Sequence, residues 1–348
     1  MLFHELNRSG CKTYLLACEE TRKGVLIDPV KERVDRCLGV LAYHRLALEL
    51  VIDTHTHADH RTGVWDLREL TGAKVVMHKR APAPHIDLHV ADGDQLEVGT
   101  LRLGFIHTPG HAPDGVCIRV DDLLFTGDTL LVRLTGRTDF PGGDAGEQYD
   151  AIMNKLFTLP EEIRVFPAHD YRGNVCSTIG EEKRLNPRIA GRSREAYIAL
   201  MNNLGIPLPD KIQEALQANV SAIDDDSVKF PSYAQLTQAR QLTPQDLHQR
   251  LSAGIPPVLL DVREPDEFTG ELGHIAGSVL IPLRHLSERA KELETYKERE
   301  LVAICRAGVR STTAAAILTG LGFEHVFNLK GGMLDWIEAG LSVERASA

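Results

Sequence analysis

No stretch of the 348 residues approaches the ~20 consecutive apolar positions of a membrane-spanning helix, so no membrane span is expected. The chain opens Met1-Leu2-Phe3-His4-Glu5, without a basic segment leading into an apolar one, and no secretory signal is expected either. There is no C-x-x-C unit. Cys11, Cys18, Cys37, Cys117, Cys176 and Cys305 are scattered thinly, which suits a reducing cytoplasm better than a disulfide framework. A net charge of −10 argues against a general nucleic-acid surface. Internal repeats and low-complexity segments are missing too. The length suggests two domains, each with its own core.

What the chain does have is histidine in a tight cluster. Thr54-His55-Thr56-His57-Ala58-Asp59-His60 follows the apolar run Leu50-Val51-Ile52. Imidazoles two residues apart, arriving off a buried strand, cannot all find partners in a core, but they can share a metal at the strand's carboxyl end. Three more candidate ligands sit in strand-end settings: His111 after Thr108-Pro109-Gly110, Asp128 after Gly127, and His169 in Pro167-Ala168-His169-Asp170.

Around these motifs the pattern is strand and helix in alternation. Tyr14–Cys18 and Gly24–Pro29 form a hairpin signal, and Val34–Ala47 has helical apolar spacing. Strands are expected at Ala73–Met77, Leu101–Ile106, Leu123–Thr126 and Ile163–Phe166, with a helix at Glu147–Leu156. Asn186–Val220 reads as largely helical, broken at Gly205–Pro209. Periodicity lapses through Asp224-Asp225-Asp226 and Phe230-Pro231-Ser232, so the expected domains are 1–225 and 241–348, joined by a linker at 226–240. In the second domain Thr243 and Pro244 open a helix as N-cap and first residue; Val258–Val262 and Leu301–Ile304 are buried strands, and Ser311–Leu321 is a helix.

Ligand counting by itself suggests two zinc ions, one on His55, His57 and His111, the other on Asp59, His60 and His169, bridged by Asp128 and making a hydroxide for hydrolysis. Taken in order, H-x-H-x-D-H, T-P-G-H, G-D and a late histidine resemble the metallo-β-lactamase fold over about residues 1–225. That resemblance implies an αββα sandwich with the metal at its open edge. The flanking Leu131–Phe140 segment and His169-Asp170-Tyr171 resemble the persulfide dioxygenase branch of this fold. Membership there implies one Fe(II) per chain on His55, His111 and Asp128, a two-histidine, one-carboxylate set with open positions. His57, Asp59, His60 and His169 then orient those ligands through hydrogen bonds. The resemblance further implies glutathione persulfide and O2 as substrates, sulfite and glutathione as products, and a homodimer. Arg137, Asp139, Tyr171 and Arg172 are the candidates for holding the tripeptide, since arginine forks suit its carboxylates. The competing role for Arg137 is a structural pair with Asp139 or Asp144.

A second constellation is Ile304-Cys305-Arg306-Ala307-Gly308-Val309-Arg310-Ser311, between a buried strand and a helix. Such a loop turns successive N–H groups inward beside a positive helix end, and Arg306 and Arg310 add charge, although only one of them need face in. These influences favour thiolate, so Cys305 is expected to have a depressed pKa and to act as a nucleophile. The loop resembles the rhodanese active loop C-R-x-G-x-R. Asp261–Pro265, Gly273–Ser278 and Gly331–Trp336 extend the resemblance over about residues 240–345. It implies a rhodanese-like α/β domain in which Cys305, with Arg306 and Arg310, takes sulfane sulfur from thiosulfate and passes it to a thiol. Six residues from Cys305 to Arg310 favour sulfur over the longer phosphate loop of related phosphatases. Arg263 and His274 are expected to brace the domain.

The whole chain therefore resembles a persulfide dioxygenase–rhodanese fusion whose two sites share an intermediate and exchange it by diffusion. Two alternatives stand beside this. One is a glyoxalase II-like dizinc thioester hydrolase; the other makes the Cys305 domain a sulfur-binding sensor or docking module.

Overall fold

The computed structural model describes residues 1–7, 10–206, 215, 216, 218, 219, 236, 238–252, 254 and 256–345. The chain divides into two compact units, Met1–Val34 with Ala47–Asp226, and Asp35–Leu46 with Ser227–Ala348. The expected linker at 226–240 and the acidic cluster before it lie mostly outside the described residues.

In the first unit one sheet runs in sequence order through β1 (Leu2–Glu5), β2 (Tyr14–Ala17), β3 (Lys23–Ile27), β4 (Ala47–Ile52), β5 (Lys74–His78) and β6 (Leu88–Val90). The hairpin read from sequence is β2 against β3, with Tyr14 opposite Ile27. A second sheet holds β7 (Gln95–Val98), β8 (Leu101–His107), β9 (Val116–Val120) and β10 (Leu123–Gly127). Next to β10 lie β13 (Arg164–Pro167) and then β14 (Ser177–Thr178), while β11 (Leu130–Leu131) and β12 (Leu134–Thr135) form a separate small hairpin. Alternate residues of both sheets meet in one core: Leu16, Val25, Ile27, Leu50 and Ile52 from the first, Leu103, Phe105, Ile118, Phe125 and Phe166 from the second. This is the period-two burial of sheets packed face to face.

The helices α1 (Val34–Tyr43) and α2 (Val64–Thr71) follow β3 and β4. On the outer face of the second sheet, α3 (Ala145–Asn154), α4 (Ile179–Leu185) and α5 (Arg194–Met201) bury Ile152, Ile179, Tyr197 and Met201 against Cys117, Leu124 and Val165. Asp144 caps α3 by accepting from the Glu147 amide, and Thr178 with Glu181 closes a reciprocal capping box on α4. The expected helix over Asn186–Val220 is shorter. α4 ends at Leu185 because Asn186 precedes Pro187 and takes an extended conformation, and helix resumes only at Arg194 after its Ser193 cap. Residues 207–214 of that stretch lie outside the described residues.

Strand direction sets where the ligands gather. β9 is antiparallel to both β8 and β10, and β13 is parallel to β10, so the carboxyl ends of β8, β10 and β13 share a rim. The Val116 amide donates to the Thr54 carbonyl at 2.8 Å, which brings the segment after β4 to that same rim.

The second unit carries a five-stranded, all-parallel sheet in the order β15 (Arg240–Leu242), β19 (Val326–Leu329), β18 (Leu301–Ile304), β16 (Val258–Asp261), β17 (Val279–Leu280). Among the described residues, the helices of its 227–348 segment are α6 (Pro244–Leu251), α7 (Pro265–Phe268), α8 (Leu283–Arg289), α9 (Val309–Gly320) and α10 (Gly332–Glu338). Leu260 and Ala303 pack with Leu286 and Leu318 on one face, while Leu259, Val302 and Ile304 pack with Leu247, Met333 and Trp336 on the other. Both faces of a parallel sheet are therefore covered, which is why its strands read as unbroken apolar runs. Thr243 and Pro244 open α6 as expected. Among the described residues, no helix is long and apolar enough to cross a membrane.

Arg263 and Asp261 form a fully buried ion pair, with Nη2–Oδ2 at 2.7 Å. The remaining guanidinium hydrogens reach the Glu267 and Gly273 carbonyls at 3.1 and 2.8 Å, so little of the charge is left unsatisfied. Removing one partner strands the other in the core. Arg263→Ala should cost about 3–5 kcal/mol. Urea unfolding followed by Trp336 fluorescence in a Trp65→Phe background measures it; a loss below 1 kcal/mol would contradict the account.

Candidate active sites

Past β4 the chain enters a turn in which His55 and His57 are buried and His60 is half-buried. Each imidazole has one nitrogen tied to an oxygen. His111 Nδ1 lies 2.7 Å from the Arg137 carbonyl, which can only accept, so Nε2 keeps its lone pair. Thr54 Oγ1 donates to Asp28 at 2.9 Å and therefore accepts from His55 Nδ1 at 3.0 Å, leaving His55 Nε2 buried without a partner among the described residues. Asp128 completes the group: ligand atoms of His55, His111 and Asp128 lie within 4.8 Å of one another. Two imidazoles and a carboxylate, with the bare His55 nitrogen among them, are a donor set that fits a first-row divalent metal. Burial, with His57 and His111 nearby, drives the His55 pKa far below its ordinary value, so no proton competes there at neutral pH.

His169 behaves differently. Its Nδ1 is 2.8 Å from Asp128 Oδ1 and its Nε2 is 2.9 Å from Asp59 Oδ2, so both nitrogens are committed to carboxylates. Burial opposes its charge, but Asp128 and Asp59 outweigh burial and hold its pKa well above the ordinary value. Reciprocally, burial raises the Asp128 carboxyl while His169, His111 and His55 bring it below the usual range. His57 turns away from Asp128. Its Nε2 donates to Asp28 at 3.2 Å, and although burial lowers its pKa, Asp28 and Asp53 carry it to about 9.

The small β11–β12 hairpin closes the rim. A Cβ at Gly136 would collide with the Asp128 carbonyl, so only glycine allows that approach. A cavity of about 370 Å3 opens over Asp59, His111, Asp128 and His169, walled by Leu131, Leu134, Arg137, Phe140, Tyr171 and Arg188.

In the second unit Cys305 leaves the carboxyl end of β18 and is buried. Its sulfur accepts from the Gly308 amide at 3.1 Å and from the Ser311 hydroxyl at 3.2 Å. The Met333 and Leu334 amides donate to the Cys305 and Arg306 carbonyls at 2.8 and 3.0 Å, and a Cβ at Gly332 would strike the Cys305 carbonyl. Arg306 is exposed, whereas Arg310 is two-pronged on Glu267 at 2.6 Å. Arg263 and His274 stand apart from the sulfur; His274 stacks on Phe268 with ring centroids 3.8 Å apart.

Residues 6–169 match the metallo-beta-lactamase superfamily and residues 243–339 match the rhodanese-like domain. The human mitochondrial persulfide dioxygenase ETHE1 is 41% identical over 210 residues, covering 60% of this chain and 82% of that protein. The chain belongs to the persulfide dioxygenase family. A crystal structure of ETHE1 from Myxococcus xanthus is 47% identical, with a TM-score of 0.62 over 64% of this chain and 99% of that one. A metallo-beta-lactamase from Staphylococcus aureus shares the fold over 95% of this chain and 98% of that one, with a TM-score of 0.60 and 20% identity. This persulfide dioxygenase relative thus carries a rhodanese-like domain after its metallo-β-lactamase fold, consistent with a fusion.

Within this member of the family the candidate pocket residues divide. Arg137 and Tyr171 line the cavity, and Asp139 and Arg172 do not. Asp139 is the bidentate partner of Arg137, at 2.6 and 2.7 Å, which is the structural pairing weighed from sequence. Arg172 is exposed because Asp170 draws the Arg172 and Asn174 amides into a tight turn. Sequence reasoning missed Arg188, whose half-buried guanidinium hydrogen-bonds the Thr135 carbonyl beside the cavity. It also missed Asp28, which takes the Thr54 amide at 2.7 Å, its hydroxyl and His57, and so fixes the whole His-rich turn. The signal was an aspartate ending the apolar run Val25-Leu26-Ile27.

Burial raises the Glu267 carboxyl, but Arg310 outweighs it and holds the pKa below the ordinary 4.5. A depressed carboxyl contributes stability that is present above the unfolded value and fades as pH falls through the folded one. The stability difference between the parent and Glu267→Gln should therefore be open at pH 7 and close below about pH 4.5. Denaturation midpoints across pH 3–7 test this, and a difference independent of pH would refute it.

Proposed function

We propose that the first site is an Fe(II)-dependent dioxygenase centre oxidising glutathione persulfide, and that Cys305 serves a thiosulfate sulfurtransferase. The observation that carries the first reading is the convergence of His55, His111 and Asp128, in a chain 41% identical to a protein named persulfide dioxygenase. These three residues would hold one iron, which when bound supplies a redox centre between the persulfide sulfur and O2. The overall conversion balances as persulfide, O2 and water giving glutathione, sulfite and two protons.

The side chains do the rest. His169 fixes the Asp128 carboxylate, and the Arg137 carbonyl and Thr54 hydroxyl fix the two imidazoles. Arg137, Tyr171 and Arg188 face the cavity where a tripeptide with two carboxylates would lie, and Arg188 meets a main-chain carbonyl. Apolar walls from Leu131, Leu134 and Phe140 keep that end dry.

At Cys305 the thiolate attacks the outer sulfur of thiosulfate, the S–S bond breaks, and sulfite leaves with the electron pair. Glutathione thiolate then attacks the outer sulfur of the enzyme persulfide and displaces Cys305. The Gly308 amide and Ser311 hydroxyl support the sulfur's negative charge. The net products, glutathione persulfide and sulfite, place one site's product as the other's substrate.

Oxygen uptake by anaerobically iron-loaded protein given glutathione persulfide tests the first assignment, with about one sulfite expected per O2. Absence of uptake together with cleavage of a glutathione thioester would move this site to the hydrolases. Cys305→Ser should keep oxygen uptake within about twofold and lose thiosulfate-dependent sulfite release. If both activities fall together, the two sites are not independent.

A further inference from the structure

Cys11, His57 and His60 stand outside the ligand set assigned above, yet their ligand atoms also lie within 4.8 Å of one another. His57 sends Nε2 to Asp28 at 3.2 Å, and its Nδ1 is buried with no hydrogen-bond partner among the described residues. His60 sends Nδ1 to Asp59 at 3.2 Å, and its Nε2 is likewise buried and unpartnered. An imidazole braced by a carboxylate on one nitrogen with the other left bare is the arrangement of a metal-ligating histidine. A buried polar atom without a partner is costly, and here two occur on neighbouring rings.

The third member is a buried thiol whose polar contact is the Lys12 carbonyl at 4.0 Å. Burial, then Asp28, Asp59, Asp128 and Asp53, oppose a negative charge on the sulfur and raise the thiol's pKa, so it stays protonated until a cation joins it. One sulfur and two imidazole nitrogens form a softer set than His55, His111 and Asp128, and suit zinc rather than a metal that prefers oxygen.

We propose that Cys11 Sγ, His57 Nδ1 and His60 Nε2 form a second metal site, selective for Zn2+. Binding releases the Cys11 proton and any proton on His57 Nδ1, with no change of oxidation state. The site differs from the dizinc arrangement, which pairs His60 with Asp59 and His169, because both His169 nitrogens are already committed. A metal here ties the turn holding Cys11 to the His-rich turn. Since the Lys12 amide donates to the Ala168 carbonyl at 2.7 Å, it also steadies the approach to His169.

Co2+, a visible stand-in for zinc, tests the site in metal-free full-length Cys305→Ser protein under anaerobic conditions. A thiolate-to-cobalt charge-transfer band in the near ultraviolet should grow in and saturate by two equivalents, one for each site. It should persist with Asp128→Asn and vanish with Cys11→Ser. His60→Asn, which keeps the thiol, should weaken Zn2+ in a chelator competition by about tenfold or more. No band, a band surviving Cys11→Ser, a band lost with Asp128→Asn, or an unchanged Zn2+ affinity in His60→Asn each overturns the proposal. None of these readouts involves oxygen uptake, so the dioxygenase reading stands or falls separately.

Discussion

Imidazole has two nitrogens, and the rim of the sandwich uses them unequally. At His55, His57 and His60 one nitrogen is bound to a hydroxyl or carboxylate, and the other has no partner among the described residues. That asymmetry fixes each ring's orientation and aims its free nitrogen. It needs acceptors placed to about an ångström, and Asp28 supplies the most: it receives the Thr54 amide, the Thr54 hydroxyl and His57. The strand order, the shared rim and the Val116–Thr54 bond all serve to bring those acceptors to the histidines.

His169 follows the opposite rule. With both nitrogens on carboxylates it is held as a cation between Asp59 and Asp128, and it neutralises charge at the back of the cavity. The rim therefore combines imidazoles with a free nitrogen, suited to a metal, with one imidazole committed at both nitrogens to carboxylates. Their different behaviour follows from which oxygens lie next to each ring, since the residue type is the same.

Sequence alone carried the architecture far. Strands such as β4, β10 and β18 are short apolar runs ended by polar residues, and the Thr243 cap and Pro244 announced α6. The ligand candidates were legible because metal chemistry demands particular residue types in tight spacing. Contacts made across the fold were not. Cys11 reads as an ordinary apolar filler until β2 and β13 bring its turn beside His57. Arg188 hid in a stretch whose apolar spacing suggested helix, although Pro187 had already broken it. Arg172 looked like an anchor by charge and proximity to Tyr171, and the Asp170 turn sends it to solvent.

The Cys305 loop differs from the metal rim in being built almost wholly from main chain. The Cys305 and Arg306 carbonyls are occupied by the Met333 and Leu334 amides of α10, the Gly308 amide donates to the sulfur, and glycine at 332 permits the close contact. Backbone geometry of this kind is indifferent to which side chains decorate the loop's outer face. Arg306 and Ala307 can therefore be exchanged while the backbone mould around the Cys305 sulfur keeps its shape. Surface chemistry and loop shape are, in this protein, separately adjustable traits.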